Sequence, residues 1–448
     1  MTTLERLQCG NQRDNITLQL TANSAQEATW NSTWVNDECN TNVVVNGNTS
    51  GSGSTSEATI TITNTELSTA LYGVLGAEMV TLDADGYAEM KEADVLEVTS
   101  LDFGWGEYTI TSLNGIENFV NLNYLYCPAS GIEEMDLSKN TKLYYVACNN
   151  NKLTTLDLSQ ITNLQELRCQ NNGLESLTFN GASLTFLECG GNSDLTSLDL
   201  SACTNLRQLH VYGNKMASLD LSKCTSLTNL NCENMGLTSL NVSFCTSLEE
   251  LNINDNQLVS LDLSKNKYLN RLMISNNTGA LSSLDLSSTT GLVTLWCEYS
   301  NLTQLIINQC TSLKELYCRD NKLTSLDLSG NAILNHLDVM DNSLTTLDLS
   351  NNSKLKKLYC TGNYLTRLDI VPCTTLNTLS SGRQYSSSDR TEYQTMELTL
   401  TSLMNERWTS VWSSDDMNSH VSVVVSDSDS QASGNGMTGS NFGNGGSF

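Results

Sequence analysis

The sequence predicts a solenoid of stacked, strand-rich coils, and two observations carry that prediction. First, a unit of the form Leu-x-x-Leu-x-Cys-x-x-Asn-x-Leu-x-x-Leu-Asp-Leu-Ser recurs along the chain. Its Cys position falls at Cys127, Cys148, Cys169, Cys189, Val211, Cys232, Ile253, Ile274, Cys297, Cys318, Val339 and Cys360, at steps of 20 to 23 residues and mostly 21. A fixed period in the twenties marks units that cannot bury an apolar face alone and must stack to do so. Second, an Asn follows at a constant place, at Asn151, Asn172, Asn192, Asn214, Asn256, Asn277, Asn321, Asn342 and Asn363. Such an architecture shifts the functional expectation from catalysis towards binding.

Each coil has two similar halves. Leu143-x-x-Val146-x-Cys148-x-x-Asn151 is followed by Leu153-x-x-Leu156-Asp157-Leu158. The apolar residues ending each half lie two apart, so each half should hold a short strand with alternate residues buried. Stacked coils then build parallel sheets with strands about 4.8 Å apart. Leucine cannot close such a coil, because the turning backbone exposes inward amides and carbonyls that need partners. A buried Asn amide both donates and accepts, so the Asn ladder is read as the closing device. Met235 and Ser300 interrupt it, and local looseness is expected there.

Fifteen Cys in 448 residues could suggest a disulfide framework, but their placement points elsewhere. Eight sit where Val or Ile substitutes; Cys203, Cys224, Cys245, Cys310 and Cys373 share a turn position with Asn140, Asn266, Asn331 and Asn352; Cys9 and Cys39 lie outside both ladders. They read as small buried residues, since parallel Cβ vectors do not suit a bridge and no paired CxxC offers a metal site.

These residues carry a resemblance. The cysteine-bearing 21-residue unit ending in Leu-Asp-Leu-Ser, over about residues 115–380, resembles the repeats of bacterial internalin-type proteins, in their cysteine-ladder subclass. The resemblance implies a right-handed leucine-rich-repeat solenoid with its parallel sheet on the concave face, lined by the Leu-x-Cys strands. It also implies an extracellular or surface-exposed binding protein.

Before the array, Ile60-Thr-Ile-Thr63, Leu67 to Leu75 and Leu82 to Glu92 read as strand, helix, acidic loop and helix. This resembles the small helical N-terminal caps of bacterial leucine-rich-repeat proteins, and a solenoid needs a cap to cover its first apolar end. With Gly86 at the turn of a calcium-type loop, Asp83, Asp85, Glu89 and Glu92 would take ligand positions. Thr81 stands where the first Asp belongs, so a metal-free turn is the preferred reading and weak calcium the alternative.

A second repeat is far longer. Ile16-Thr-Leu-Gln-Leu20, Trp30-x-x-x-Trp34 and Val43-Val-Val45 return in order as Met396-Glu-Leu-Thr-Leu400, Trp408-x-x-x-Trp412 and Val423-Val-Val425. The later copy closes the array as a β-rich C-terminal cap, so the earlier one is read as the remnant cap of a preceding array. The expected organisation is therefore a remnant cap (1–45), a Gly/Ser linker (46–57), an N-terminal cap (58–114), about twelve coils (115–380), a C-terminal cap (381–425) and a flexible tail or linker (426–448). On this reading the chain is a fragment. It shows neither a signal peptide nor a membrane span.

With 23 basic against 49 acidic residues, net −26, nucleic acid and anionic membranes are disfavoured partners. Part of the acidity is a ladder of Asp136, Asp157, Asp199, Asp220, Asp262, Asp285, Asp327, Asp348 and Asp369. Counterions, or Ser and Lys neighbours, should screen it.

The candidate ligand face is the set of outward residues beside each Leu-x-Cys. Exposed aromatics with Arg are common anchors of recognition. Trp296, Tyr299, Tyr317, Arg319 and Tyr359 gather towards the C-terminal half, and Tyr124, Tyr126 and Tyr145 near the first coils. An aromatic on a strand is equally at home as packing. Catalysis is disfavoured: of three His, His210 alone has company, in Arg168 and Glu188, with no nucleophile motif. The expected function is a monomeric, non-catalytic recognition module for a surface protein or glycan. The alternative is a structural spacer in a tandem-repeat surface protein.

Overall fold

The computed structural model describes residues 18–21, 43–46, 58–104 and 108–426. They fall in two units, Met1–Glu57 and Ala58–Phe448. The second unit is the solenoid. Its long sheet has 14 strands, running from Ser100–Asp102 to Thr378–Ser380. Coil after coil pairs in parallel with Leu opposite Leu, as in Leu167↔Leu187 and Leu187↔Leu209. The sheet thus gains one strand at each end of the twelve expected, and the first comes from the N-terminal cap segment.

Each strand of the long sheet is only three residues. The central Leu (Val146 in one strand) is buried, and its flanks are half-buried or exposed except at Ala147, Thr294, Asp338 and Ser380; Leu316 between Glu315 and Tyr317 is typical. Two residues on, Cys318 points inward again. Each fully buried Leu contributes about 1.5–3 kcal/mol relative to exposure, so the apolar core runs the length of the array.

Among the described residues the second halves form no continuous sheet. They pair at Thr155–Leu158 with Ser176–Phe179, at Ser283–Asp285 with Gln304–Ile306, at Arg367–Asp369 with the C-terminal cap, and through a single bridge between Ser112 and Glu134. The Leu-Asp-Leu-Ser segments share a turn instead. Each Asp carboxylate accepts the amide two residues on, as Asp199 does from Ser201 and Asp262 from Ser264, both at 2.9 Å. That Asx turn closes the second half of the coil, in the paired halves at Asp157 and Asp285 as in the unpaired ones. It also holds Asp136, Asp157, Asp199, Asp220, Asp262, Asp327 and Asp348 below the usual carboxylate range. For Asp157 the Thr178 hydroxyl is the larger cause.

The Asn ladder closes the coils as expected, with a redundancy the sequence did not reveal. Asn342 donates to the carbonyls of Cys318 (2.9 Å) and Val339 (3.2 Å) and accepts the Leu323 amide (3.1 Å). Asn321 donates to the same Cys318 carbonyl (3.0 Å), so adjacent rungs share an acceptor. This corrects the expected looseness. At Met235 the Val211 carbonyl keeps Asn214 and the Cys232 carbonyl keeps Asn256, both at 2.9 Å. At Ser300 the hydroxyl itself bonds the Ile274 and Glu298 carbonyls, both at 2.9 Å. Gln384 adds a further rung, bonding Cys360 and Ser381.

All thirteen described cysteines are buried free thiols. Burial pushes Cys148 and Cys189 up to about 12. At the turn position, Asn331 donates to the Ile307 and Cys310 carbonyls (3.0 and 2.9 Å). The Oδ1 atoms of Asn140, Asn266, Asn331 and Asn352 accept nothing among the described residues. The site asks for a donor only, and Cys310 meets it through Sγ to the Leu286 carbonyl at 3.4 Å. At Cys310, then, a thiol stands in for the Asn amide as donor.

The N-terminal cap packs helix α1 (Thr65–Leu75) over the first coil, its amides capped by Asn64. A hairpin of Thr81–Leu82 and Ala88–Lys91 follows, then the short helix α2 (Glu92–Glu97). In the C-terminal cap, Met396–Thr401 and Val421–Ser426 pair in parallel, flanking helix α3 (Ser402–Ser410). This helix is an addition to the β-rich cap the sequence suggested. Thr401 caps it, and Met404 and Trp408, four apart, bury one face.

In the first unit, Leu18–Thr21 pairs in parallel with Val43–Asn46, with Leu18 opposite Val43. In the C-terminal cap Leu398 stands opposite Val423. Both offsets are 25 residues (43 − 18 and 423 − 398), so the long-range sequence repeat extends to strand register. The rest of residues 1–57, the tail 427–448, Cys9 and Cys39 lie outside the described residues.

Candidate functional site

The outward positions of the long sheet stand in register, so side chains on adjacent coils meet across about 4.8 Å of strand spacing. On the C-terminal half this produces a column. Trp296 and Tyr317 are direct strand partners, and their rings stack with centroids 5.7 Å apart and planes 8° from parallel. His336 lies against Tyr317 at 4.4 Å, and Tyr359 against His336 at 5.6 Å. At the other end the Arg271 guanidinium lies 5.8 Å from the Trp296 ring centroid. Burial is the leading cause that lowers the His336 pKa, with Lys357 adding to it, so the neutral imidazole fits the stack. The Tyr317 hydroxyl and His336 Nδ1 are 3.4 Å apart.

Two members of this column, His336 and Arg271, were not singled out from the sequence. Both occupy the first outward position of their strand, whereas Trp296, Tyr317 and Tyr359 occupy the second. Tyr317 and Tyr359 do not touch through their own register position, which Asp338 fills; His336 bridges them diagonally. Following both outward positions along the repeat would have found the link.

Tyr299 and Arg319 form a neighbouring pair beside the Asn turn, with the guanidinium 5.5 Å from the Tyr299 centroid. Arg319 Nε also donates to Asp320 at 3.0 Å. Glu298, Asp338 and Asp341 share this flank, and all three carboxyls are pushed up, first by burial and then by neighbouring carboxylates. Near the first coils Tyr124 stacks on Tyr145 at 4.5 Å and 12°. Tyr126 stands opposite Ala147 and outside that stack.

A third stack crosses the middle of the face. The Arg168 guanidinium lies 4.2 Å from the Phe186 ring centroid, and His210 lies against Phe186 at 5.5 Å. Glu188 is engaged by Arg168 (3.3 Å) and by the Tyr212 hydroxyl (3.4 Å). The acid, base and His considered for catalysis are thus partners in packing. The shallow depressions here and alongside are lined by polar groups such as Gln165, Arg207, Asn231 and Glu233.

The acidic loop of the N-terminal cap is the turn of a hairpin. Asp83 accepts the amides of Asp85 (2.9 Å) and Tyr87 (2.8 Å), Glu89 sits in a hairpin strand opposite Thr81, and Glu92 opens α2. Among the described residues no group of three or more His, Cys, Asp or Glu is placed to hold a metal.

No family model and no curated protein matches the chain. Solved structures do. The functional domain of InlJ from Listeria monocytogenes, described as including a cysteine ladder, is 30% identical, with 70% of this chain and 76% of that one covered and a TM-score of 0.54. The internalin InlF of Listeria monocytogenes str. 4b F2365 is 21% identical, with 71% and 88% covered and a TM-score of 0.51.

Proposed function

The chain belongs to the internalin family of leucine-rich-repeat proteins, in its cysteine-ladder subclass, and from that membership we propose that it is a non-catalytic recognition module of the cell surface or the extracellular space. It binds a macromolecular partner through the concave face of its long sheet. The observation that carries this reading is the column of Arg271, Trp296, Tyr317, His336 and Tyr359. Large half-exposed rings placed side by side supply contact area whose ordering entropy is already lost before a partner arrives. Their removal leaves the Leu and Cys core untouched, so they are not needed to close the coils. Among the described residues no helix is long and apolar enough to cross a membrane.

The test is a binding screen of the full chain against purified extracellular proteins and a printed glycan array, repeated with a Trp296→Ser/Tyr317→Ser variant. Saturable binding that weakens by about tenfold or more in the variant, as expected of a recognition anchor, supports the module. No saturable binding to either panel overturns it in favour of a spacer.

A further inference from the structure

Resting on that recognition reading, we infer that the partner is a protein surface presenting Arg or Lys side chains, rather than a glycan. Two features of the concave face carry the inference: where its ring faces point, and how its charges balance.

The ring faces inside the column are closed, and Tyr359 at its end is covered on one side. The order of strands along the sheet places Arg271, Trp296, Tyr317, His336 and Tyr359 on five successive coils. Neighbours on either side of a ring therefore lie against opposite faces. Trp296 is covered by Arg271 and Tyr317, Tyr317 by Trp296 and His336, and His336 by Tyr317 and Tyr359. Phe186 is covered in the same way, by Arg168 and His210. A sugar ring docks on an aromatic by laying its C–H groups on the electron-rich face, and at Trp296, Tyr317, His336 and Phe186 both faces are occupied by the protein. What the column offers is a comb of ring edges and hydroxyls; the edge is the positive end of the ring quadrupole, so a partner's cation is drawn to the carboxylates beside the column and its apolar parts to the rings. Edges pack well against the side chains of a protein.

The charge balance then selects the chemistry. Beside the column lie Glu298, Asp320, Asp338 and Asp341. Arg319 is paired with Asp320 at 3.0 Å, and Arg390 approaches Asp341 at 4.0 Å. Among the described residues no cation is within ion-pair distance of Glu298 or Asp338. Burial first, and then neighbouring carboxylates, push both carboxyls up against a partial offset from Arg319, so a further cation arriving at the half-buried Glu298, beside the buried Asp338, would relieve an existing strain. The chain's net charge of −26 adds long-range attraction for a basic partner.

The experiment pans a random 12-residue phage-displayed peptide library against the full chain, with counter-selection on Trp296→Ser, beside a printed glycan array. The expected result is enrichment of Arg- or Lys-bearing peptides whose affinity falls about tenfold in Glu298→Gln/Asp338→Asn and also falls as salt rises. Thermal melting confirms that each variant is folded. Glycan binding that Trp296→Ser abolishes would overturn this inference while leaving the recognition module intact. Enriched peptides without cations, or indifferent to the charge variant, would overturn the charge selection. No selectable binder on either platform would overturn the module itself.

Discussion

Replacing Asn342 by Ala removes donors to the Cys318 and Val339 carbonyls and the acceptor of the Leu323 amide. The two carbonyls are not stranded, because Asn321 still reaches Cys318 (3.0 Å) and Asn363 still reaches Val339 (2.9 Å). The Leu323 amide is left buried without its acceptor. With about 1 kcal/mol for each of the two carbonyl bonds lost and about 1–3 for the orphaned buried amide, the single substitution should destabilise by about 3–5 kcal/mol. The sharper test is Asn321→Ala/Asn342→Ala. Together these strip both side-chain donors from the Cys318 carbonyl, a penalty that neither single change incurs. The double variant should therefore lose about 1–2 kcal/mol more than the sum of its parts. Asn321→Ala/Asn363→Ala is the control, because those two side chains share no carbonyl, and it should be additive. Urea denaturation followed by circular dichroism measures all five chains. If the adjacent and separated pairs are equally additive within about 0.5 kcal/mol, the shared-acceptor explanation of how Met235 and Ser300 are tolerated is wrong.

At the donor-only turn position, Asn331→Cys should leave the urea midpoint nearly unchanged, whereas Asn331→Leu, which leaves the Ile307 and Cys310 carbonyls only their backbone donors, should cost about 2 kcal/mol, about 1 for each side-chain bond lost; equal losses would refute the donor-only assignment. Site-resolved mass spectrometry after iodoacetamide should find the thirteen buried thiols unmodified in the folded chain and all modified in denaturant; a ladder Cys that reacts in the folded state would contradict its burial. Burial raises the Asp338 carboxyl above its unfolded value, so its ionisation weakens folding at neutral pH and that penalty fades as pH falls. Asp338→Asn should melt higher than the parent at pH 7 and equal to it below about pH 4, and a pH-independent difference would refute the assignment. Asp157 has the opposite sign: the Thr178 hydroxyl at 2.7 Å and the Ser159 amide hold it low. Its contribution is present above about pH 4 and lost as pH falls through the folded value, so Thr178→Val should lower the melting temperature at pH 7 and not at pH 2.

What the sequence makes legible in this chain is set by the direction in which neighbours lie. Coils stack at a near-fixed step, so any residue's lateral neighbour is found about 21 positions away; Trp296 and Tyr317 are 21 apart, and the sequence alone places them together. The Leu core, the Cys ladder and the Asn ladder are lateral relations of this kind, which is why the architecture needs no coordinates. Diagonal relations are different. His336 reaches Tyr317 at a separation of 19 and Tyr359 at 23, from the other outward column, and only the directions of the side chains decide that the rings lean together across the strand. The same holds for Asn342 crossing to the Cys318 carbonyl, 24 residues back, which turns an apparent defect at Met235 into a covered position. The acidic segment is hard to read for the converse reason: its spacing suits a ligand loop, but Ala88–Lys91 pairs with Thr59–Ile62 as a strand, a partner too distant in the chain for the segment's own residues to announce. In a solenoid the repeat predicts the scaffold because the scaffold is a lateral sum, while its recognition surface is built from diagonals. Substitutions that preserve the 21-residue period at the outward positions therefore leave folding alone and are free to change what is bound.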